Sequence, residues 1–335
     1  MTELATRKLG NAGPEITRVG FGSWAIGGGG WVAGWGPQDD DAAIEAMAHA
    51  VRGGINWIDT AAVYGLGHSE ELVGRLLRQL SPAEHPLVFT KCGLRWGDGD
   101  RMAAPKRSLR PESIRFECEA SLRRLGVERI DLFQFHWADD DTPLEDSWGE
   151  MSRLVDEGKV RWAGVSNFDV ARLERCERIR HVDSLQPPFS LIRRNAAASE
   201  IAWCADHATG VIVYSPMQSG ILTEKWTLDR VDALPADDWR RNSKEFLRPN
   251  IERNLQLRDA LVPIARKHGV EVGAVAVAWT LTWPAVTAAI VGARSPEQVD
   301  GWIPAASLQL SDDELRAIDD ALRSSGAGSG PIERQ

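Results

Sequence analysis

Asp59 and Tyr64 stand five positions apart, just behind an alternating apolar run of Ile55, Trp57 and Ile58. A carboxylate and a phenol are residue types that hold, give or take a proton. Sites in parallel α/β folds are built just past the C-terminal ends of strands. The same two residues also suit a turn cap and a surface-packed ring, and the pair alone does not decide. Two more ionisable groups occupy like positions: Lys91 follows Leu87 to Thr90 directly, and His136 follows Ile130 to Phe135. Alone, the lysine reads as a solvated loop residue and the histidine as a hydrogen-bonded structural group. A charge at the end of an apolar strand must, however, be paired if it is buried. Tyrosine is also scarce, 2 residues against 14 Trp and 8 Phe, and both Tyr64 and Tyr214 fall at expected strand ends. A chain that fills its apolar sites with other aromatics keeps these two for a hydroxyl or a stacking face.

The elements that must position these groups follow from periodicity. Short apolar strands are expected at Arg18–Gly22, Ile55–Thr60, Leu87–Lys91, Ile130–His136, Val160–Val165, Ser184–Gln186, Val211–Tyr214 and Val286–Val291. Stretches with helical spacing alternate with them: Asp39–Arg52, Ser69–Leu80, Pro111–Leu125, Pro143–Glu157, Val170–Arg178, Ala196–Thr209, Ile251–His268 with Val272–Thr282, and Pro296–Trp302. A last helix is expected at Asp312–Arg323, and Thr223–Pro249 reads as a loop without periodicity. Regular βα alternation implies a parallel sheet, and eight units imply a closed (β/α)8 TIM barrel. An open doubly wound sheet is the alternative, weakened because no strand leads through G-x-G-x-x-G into a helix. The chain is expected to form one domain over 1–335, with a Gly/Ser-rich mobile tail from about 325. The strand ends then bring Asp59, Lys91, His136, Ser166, Asn167, Gln186, Tyr214, Ser215, Gly292 and Arg294 to one mouth.

Bulk properties narrow the function classes. The balance of 39 basic and 48 acidic residues, net −9, argues against nucleic acid, which calls for a basic face. No basic amphipathic helix suggests a membrane surface. Val272 to Ala293 carries no charge but is Ala- and Thr-rich around Pro284, so helix, break and buried strand are expected rather than a span. The cysteines at 92, 118, 176 and 204 have neither C-x-x-C nor metal-site spacing, so no disulfide framework and no metal are expected. The polar start, Met1 to Lys8, lacks a signal-peptide core, and a cytoplasmic location is expected.

The segments GINWIDTAAVYGLGHSEELVGRLL, FTKCG, IDLFQFHWAD, GKVRWAGVSNF, LQPPFSL, YSPMQSGIL and IVGARSPEQ occur in that order, from about Gly20 to Gln298. Together they resemble the aldo-keto reductases. With GSWAIGG near the start, they are most similar to a bacterial subgroup near the channel β-subunit branch. The resemblance implies an NADP(H)-dependent oxidoreductase that interconverts carbonyls and alcohols of small-molecule substrates, sugars and cyclitols included. It implies a catalytic tetrad of Asp59, Tyr64, Lys91 and His136. Tyr64 would be the general acid and base, Lys91 would favour its phenolate, Asp59 would hold Lys91, and neutral His136 would orient the carbonyl oxygen.

For the cofactor, the resemblance implies that Tyr214 stacks on the nicotinamide and that Ser166, Asn167 and Gln186 bind its carboxamide. Trp24 would lie beside it. The loop Ser215, Pro216, Met217 to Leu222 would wrap the pyrophosphate, with N–H groups of Ser219, Gly220 and Leu222. The adenosine end would lie at Gly292 to Trp302, with Arg294 on a 2′-phosphate and Gln298 one turn along. Many members carry Glu-Asn where this chain has Gly301-Trp302, which leaves Trp302 to adenine stacking or to the core. Substrate would meet Trp24, Trp31, Trp35, Trp96 and Trp137. The alternative reading is a cofactor-sensing regulatory subunit with little turnover.

Overall fold

Eight short parallel strands close on themselves in the computed structural model, which describes residues 4–97, 99–235 and 238–334. The ends of the expected domain at 1–3 and 335, and positions 98 and 236–237 within it, lie outside the described residues. The barrel strands are β1 Val19–Gly22, β2 Trp57–Asp59, β3 Leu87–Cys92, β4 Ile130–Phe135, β5 Val160–Ser166, β6 Ser184–Gln186, β7 Gly210–Val213 and β8 Val286–Gly292. Each pairs with the next in chain order and β8 returns to β1, Gly292 opposite Gly22. The fold is therefore the (β/α)8 TIM barrel. The strands are buried on both faces, which explains their nearly continuous apolar runs.

Around the barrel lie α1 Asp40–Arg52, α2 His68–Gln79, α3 Pro111–Leu125, α4 Leu144–Asp156, α5 Val170–Glu177, α6 Glu200–Asp206, α7 Asn250–His268, α8 Val272–Leu281, α9 Pro296–Trp302 and α10 Asp312–Ser325. Their ends carry the expected signals. Asp39 caps α1 through Ala42 N, Pro111 opens α3, and Gly126 ends it in the left-handed region. The uncharged α8 is buried along almost its whole length and leads into β8. No described helix is long and apolar enough to cross a membrane. All four cysteines are buried and unpaired.

The barrel's lower end is closed by a feature the periodicity does not reveal. Thr6–Lys8 and Glu15–Thr17 form an antiparallel hairpin whose Leu9 and Ile16 pack with Trp57, Phe89, Leu132 and Trp162 inside the barrel. Trp57 Nε1 donates to the Thr17 carbonyl at 2.9 Å. Gly20 is required there, because a Cβ would lie 2.1 Å from the Trp57 ring. The bottom is thus sealed and the opposite, C-terminal end is left for the groups of the site.

Three expectations need correction. Ala196–Thr209 is not one helix but a 3-10 turn, Asn195–Ala198, followed by the short α6. The stretch 223–249 is not without structure. It contains a one-turn helix, Leu228–Asp232, and 3-10 turns at Trp239–Asn242 and Lys244–Phe246, each too short to show a period. The segment expected as a mobile tail is packed against the chain after β6. Ser329 N donates to Ile192 O, Arg194 N donates to Ser329 O, and the buried Arg194 guanidinium donates to the Pro331 carbonyl.

Candidate active site at the barrel mouth

The strand β2 ends at Asp59, and the chain then makes a tight excursion that returns Tyr64 over the mouth. Tyr64 N donates to Ala61 O at 3.0 Å, and Gly65 and Leu66 both adopt positive φ, 61° and 59°. Gly65 cannot be replaced without movement, since a Cβ there would lie 2.3 Å from the Gly27 carbonyl. This close approach locks the Tyr64 turn to the glycine-rich loop after β1.

Lys91 points from β3 into the barrel, and its side chain is fully buried. Its Nζ donates to Asp59 Oδ1 at 2.5 Å and to the Thr60 carbonyl at 2.9 Å. The other carboxylate oxygen, Oδ2, accepts from Gln186 Nε2 at 2.8 Å. Lys91 Nζ also lies 5.3 Å from the centre of the Tyr64 ring, and the His136 ring stands edge-on to Tyr64 at 5.7 Å. Asp59, Tyr64, Lys91 and His136 thus converge in one small volume.

A second run of hydrogen bonds continues around the rim. Ser166 Oγ donates to the Gln186 carbonyl at 2.8 Å, and Asn167 Nδ2 donates to Ser166 Oγ at 2.9 Å and to the His136 carbonyl at 3.0 Å. Tyr214 Oη donates to Asn167 Oδ1 at 2.8 Å. Asn167, held at positive φ, therefore ties β4, β5 and β7 together. Gln186 acts here as the support of Asp59 as well as a rim group. Gln134 was missed in the sequence. It is fully buried, accepts from Gln186 Nε2 at 3.4 Å, and its own Nε2 has no partner. The one available signal was an amide inside the apolar run of β4.

Burial dominates the electrostatics. It raises the Asp59 carboxyl and lowers the Lys91 ammonium, and each charge opposes the other's shift. Burial pushes the Tyr64 phenol well above its ordinary value, and the charge of Asp59 adds to the rise. The expected pull of Lys91 toward the phenolate does not outweigh burial, so Tyr64 is a protonated donor in this state. His136 is held well below the ordinary imidazole range by burial and then by Lys91, and is neutral.

The aromatic residues divide. Trp24 lies over Tyr64, rings 6.1 Å apart and near parallel, and Trp35 meets Trp24 edge-on at 5.3 Å. Trp31 is buried with Ala61 and Val63, and Trp96 packs onto the same cluster. Trp137 instead lies under Arg107, 5.0 Å from its guanidinium carbon, on a short hairpin pairing Leu94–Arg95 with Lys106–Arg107. Trp302 is buried in the core and is not offered to a ligand. Trp239, from the stretch read as a loop, stacks on Trp24 at 5.9 Å and meets Trp35 at 5.6 Å. No sequence signal pointed to Trp239, whose partners stand some two hundred positions away.

The residues expected to hold a dinucleotide lie along the same mouth. In the loop after β7, Ser215, Gln218, Ser219 and Gly220 all have positive φ. The N–H groups of Gly220 and Leu222 both close turns on the Met217 carbonyl, and the Ser219 N–H has no partner among the described residues. Pro216 brings no N–H, and Met217 Sδ would lie 2.9 Å from a Cβ at Gly273, seating the loop on α8. Gly292 is exposed at the end of β8. Arg294 Nε donates to Gln38 Oε1 at 2.6 Å and Nη1 to the Trp35 carbonyl at 3.1 Å, with the Pro37 carbonyl on Nη2. Gln298 Oε1 accepts from Arg294 N at 2.9 Å. Among the described residues Arg294 has no carboxylate partner, and the buried Nε1 atoms of Trp35 and Trp239 have no acceptor. A cation without a counter-ion and donors without acceptors fit an anionic, oxygen-rich ligand. The described residues hold no cluster of His, Cys, Asp and Glu suited to a metal.

The chain is similar to known proteins over nearly its whole length. Residues 18–323 match the model of the Aldo/keto reductase family. The chain is 33% identical over 329 residues to the NADH-specific methylglyoxal reductase of Escherichia coli K12, covering 94% of this chain and 98% of that protein. It is 31% identical over 315 residues to aldo-keto reductase YhdN of Bacillus subtilis 168, covering 94% and 92%. Among solved structures, the glycerol dehydrogenase AKR11B4 of Gluconobacter oxydans is similar with a TM-score of 0.87 and 39% identity, over 100% of this chain and 99% of that one.

Proposed function

The chain belongs to the aldo/keto reductase family, and on that premise we propose that it interconverts a small carbonyl compound and its alcohol, with NADP(H) and with Tyr64 as general acid and base. The observation that carries the reading is the convergence of Tyr64, Lys91, Asp59 and His136 on one point of the mouth. A nicotinamide cofactor, when bound, supplies or accepts the hydride. The remaining work falls to this chain. Tyr64 gives its proton to the carbonyl oxygen as that oxygen gains charge. Its high pKa in the closed protein keeps the proton in place until then. Neutral His136 donates a hydrogen bond to the same oxygen and fixes its direction. Lys91 stabilises the developing charge on Tyr64 and on the oxygen. Asp59, itself held by Gln186, keeps Lys91 charged and pointed.

Tyr214, Ser166, Asn167 and Gln186 are the residues that would hold the nicotinamide. The loop from Ser215 to Leu222 would hold the pyrophosphate, and Arg294 with Gln298 the adenosine end. That no carboxylate among the described residues meets Arg294 supports a phosphorylated ribose and hence NADP(H). Trp24 and Trp35 would line the substrate side, and Trp31 and Trp96 would support them. Two relatives are named for methylglyoxal and for glycerol, both three-carbon and polar, and small dicarbonyls and polyols are the first substrates to try.

The test is a panel run in both directions, methylglyoxal and 4-nitrobenzaldehyde with NADPH or NADH, glycerol and cyclitols with NADP+ or NAD+. Tyr64→Phe should lose turnover by about 10² or more, the scale of a lost acid–base group, and keep dinucleotide affinity within about twofold. Equal losses of binding and turnover would remove Tyr64 from the acid role. Tight binding by the wild type with no turnover anywhere would favour a cofactor sensor.

A further inference from the structure

Glu117 is a buried carboxyl that the mechanism above leaves unused. It lies on the inward face of α3 with Ile114, Cys118 and Ser121, and is 4% exposed. A carboxyl in that place is costly unless its oxygens are bonded. Oε2 accepts from Gly93 N at 3.0 Å and Oε1 from Ser113 Oγ at 3.1 Å. Both donors are neutral, so the group is aimed at a peptide rather than paired with a cation. Glu70 on α2, also buried, accepts from Thr90 Oγ1 at 2.6 Å, and its other oxygen accepts from Arg124 Nε at 2.6 Å. Thr90 and Gly93 flank Lys91 and Cys92, so two carboxyls hold the end of β3 from outside the barrel.

The peptide that Glu117 holds is the one between Cys92 and Gly93. Its carbonyl accepts from His136 N at 2.9 Å, and its N–H is the one that Glu117 binds. A peptide unit is planar, so the two bonds fix one rigid plate. Lys91 leads directly into that plate, and its own carbonyl accepts at 3.4 Å from Ala62 N, in the turn that carries Tyr64. The plate thus adjoins the backbone of both Lys91 and His136. Gly93 has a φ of 93°, and a Cβ there would lie 2.6 Å from Leu109 Cδ2. Glycine turns readily between positive and negative φ, so the orientation of the plate depends on its hydrogen bonds.

Building on the tetrad reading above, we propose that Glu117 is a positioning residue: it pins the Cys92–Gly93 peptide from behind the barrel and so fixes how Lys91 and His136 stand to each other around the carbonyl oxygen. Burial raises its pKa to about 7, against the pull of the Gly93 N–H, the Ser113 hydroxyl and the Arg95 charge, and the charge of Glu70 adds to the rise. The Cys92 thiol beside it is held well above its ordinary value by burial and then by Glu117. Either form of the acid keeps an oxygen for the Gly93 N–H, so the hold survives protonation. A neutral amide of the same length can therefore replace the carboxyl, whereas a shorter or apolar side chain cannot.

Full-length wild type, Glu117→Gln, Glu117→Asp and Glu117→Leu are compared by kcat with the fastest carbonyl of the panel above, by calorimetric binding of NADPH or NADH, and by unfolding midpoint. Glu117→Gln keeps an acceptor at the same reach and should hold kcat within about threefold of wild type. Glu117→Asp withdraws the carboxyl by one carbon–carbon bond and Glu117→Leu removes it. Both should lose kcat by about tenfold or more and keep dinucleotide affinity within about twofold, the pattern of displaced reacting groups. A lowered midpoint with kcat still within about threefold, as from a purely structural role, overturns the positioning and leaves the tetrad in place. So does a Glu117→Gln enzyme as slow as Glu117→Leu, or an equal loss of kcat and dinucleotide affinity. If Glu117→Leu does not fold, the contrast of Glu117→Asp with Glu117→Gln decides. Tyr64→Phe is run beside them: if it is as active as wild type, or if wild type turns over nothing, the tetrad reading fails and the positioning role fails with it.

Discussion

Replacing Asp59 by Asn removes one charge from a pair with no water to replace it. The Lys91 side chain is fully buried and that of Asp59 is 3% exposed. Lys91 Nζ has two acceptors, Asp59 Oδ1 at 2.5 Å and the Thr60 carbonyl at 2.9 Å. At an effective dielectric near 20, unit charges at this separation attract by about 7 kcal/mol before desolvation is counted. The variant need not lose all of that, since the stranded ammonium can release its proton. Doing so at pH 7 costs about 5 kcal/mol for a lysine of ordinary pKa. Part of the hydrogen bonding also survives. The Asn oxygen can still accept from Lys91, but its amide meets Gln186 Nε2, which must turn over and take Gln134 with it. The expected loss is about 3–5 kcal/mol, the usual result of removing one partner from a buried pair.

The pH dependence makes this specific. Burial already lowers the Lys91 pKa, and Asp59 is the main influence that raises it. Without Asp59 the folded pKa falls further below the unfolded value. The unfolded chain then holds more protons than the folded one between those two values, so stability climbs with pH, by up to about 1.4 kcal/mol per unit. Relative to wild type, Asp59→Asn should recover part of its loss between pH 7 and 9, at most about 2–3 kcal/mol, because the wild-type lysine is itself lowered by burial. Urea unfolding followed by tryptophan fluorescence and by circular dichroism, with refolding verified, measures the difference. A loss below about 1 kcal/mol, as for an exposed pair, or a gap that does not narrow with pH, would refute a buried lysine charge held by Asp59.

Two further outcomes follow from the same geometry. Burial keeps the Tyr64 proton on well above the ordinary phenol range and keeps His136 neutral well below the ordinary imidazole range. Reductive kcat at saturating substrate should therefore stay flat from about pH 5.5 to about 9, and an inflection near an ordinary histidine value would contradict the assignment of His136. Gly65→Ala should cost about 1–2 kcal/mol from its left-handed backbone alone. Because its Cβ would strike the Gly27 carbonyl, the Tyr64 turn must shift, and turnover should fall by about 10² for a displacement near 1 Å. Unchanged stability and kcat in that variant would show that the turn is not held by this contact.

What was legible in the sequence is what repeats locally. Each βα unit writes an apolar strand, a polar residue at its end and a 3.6-residue period, so eight strands and the convergence of Lys91 and His136 with Asp59 and Tyr64 could be read from spacing. The rest depends on contacts between distant segments. The strand Thr6–Lys8 is exposed along its whole length, so it carries no alternation; its hairpin is held instead by Leu9 and Ile16 reaching barrel residues. The turns that carry Trp239 are three to five residues long, below one or two periods, and only closure of the barrel brings Trp239 onto Trp24. The tail reads as mobile from its glycines, yet Gly328 and Gly330 are where its backbone passes within contact of Ile192 and Arg194. The same limit applies to charge. The resemblance sets Lys91 beside Tyr64 and implies a lowered phenol pKa, but the sign depends on how dry the mouth is, and burial reverses it. A tyrosine so disposed is a poor base until something in the mouth lowers its pKa. On the proposed mechanism, alcohol oxidation would require the bound cofactor and substrate to change the surroundings of Tyr64, whereas carbonyl reduction would start from the protonated phenol that burial favours.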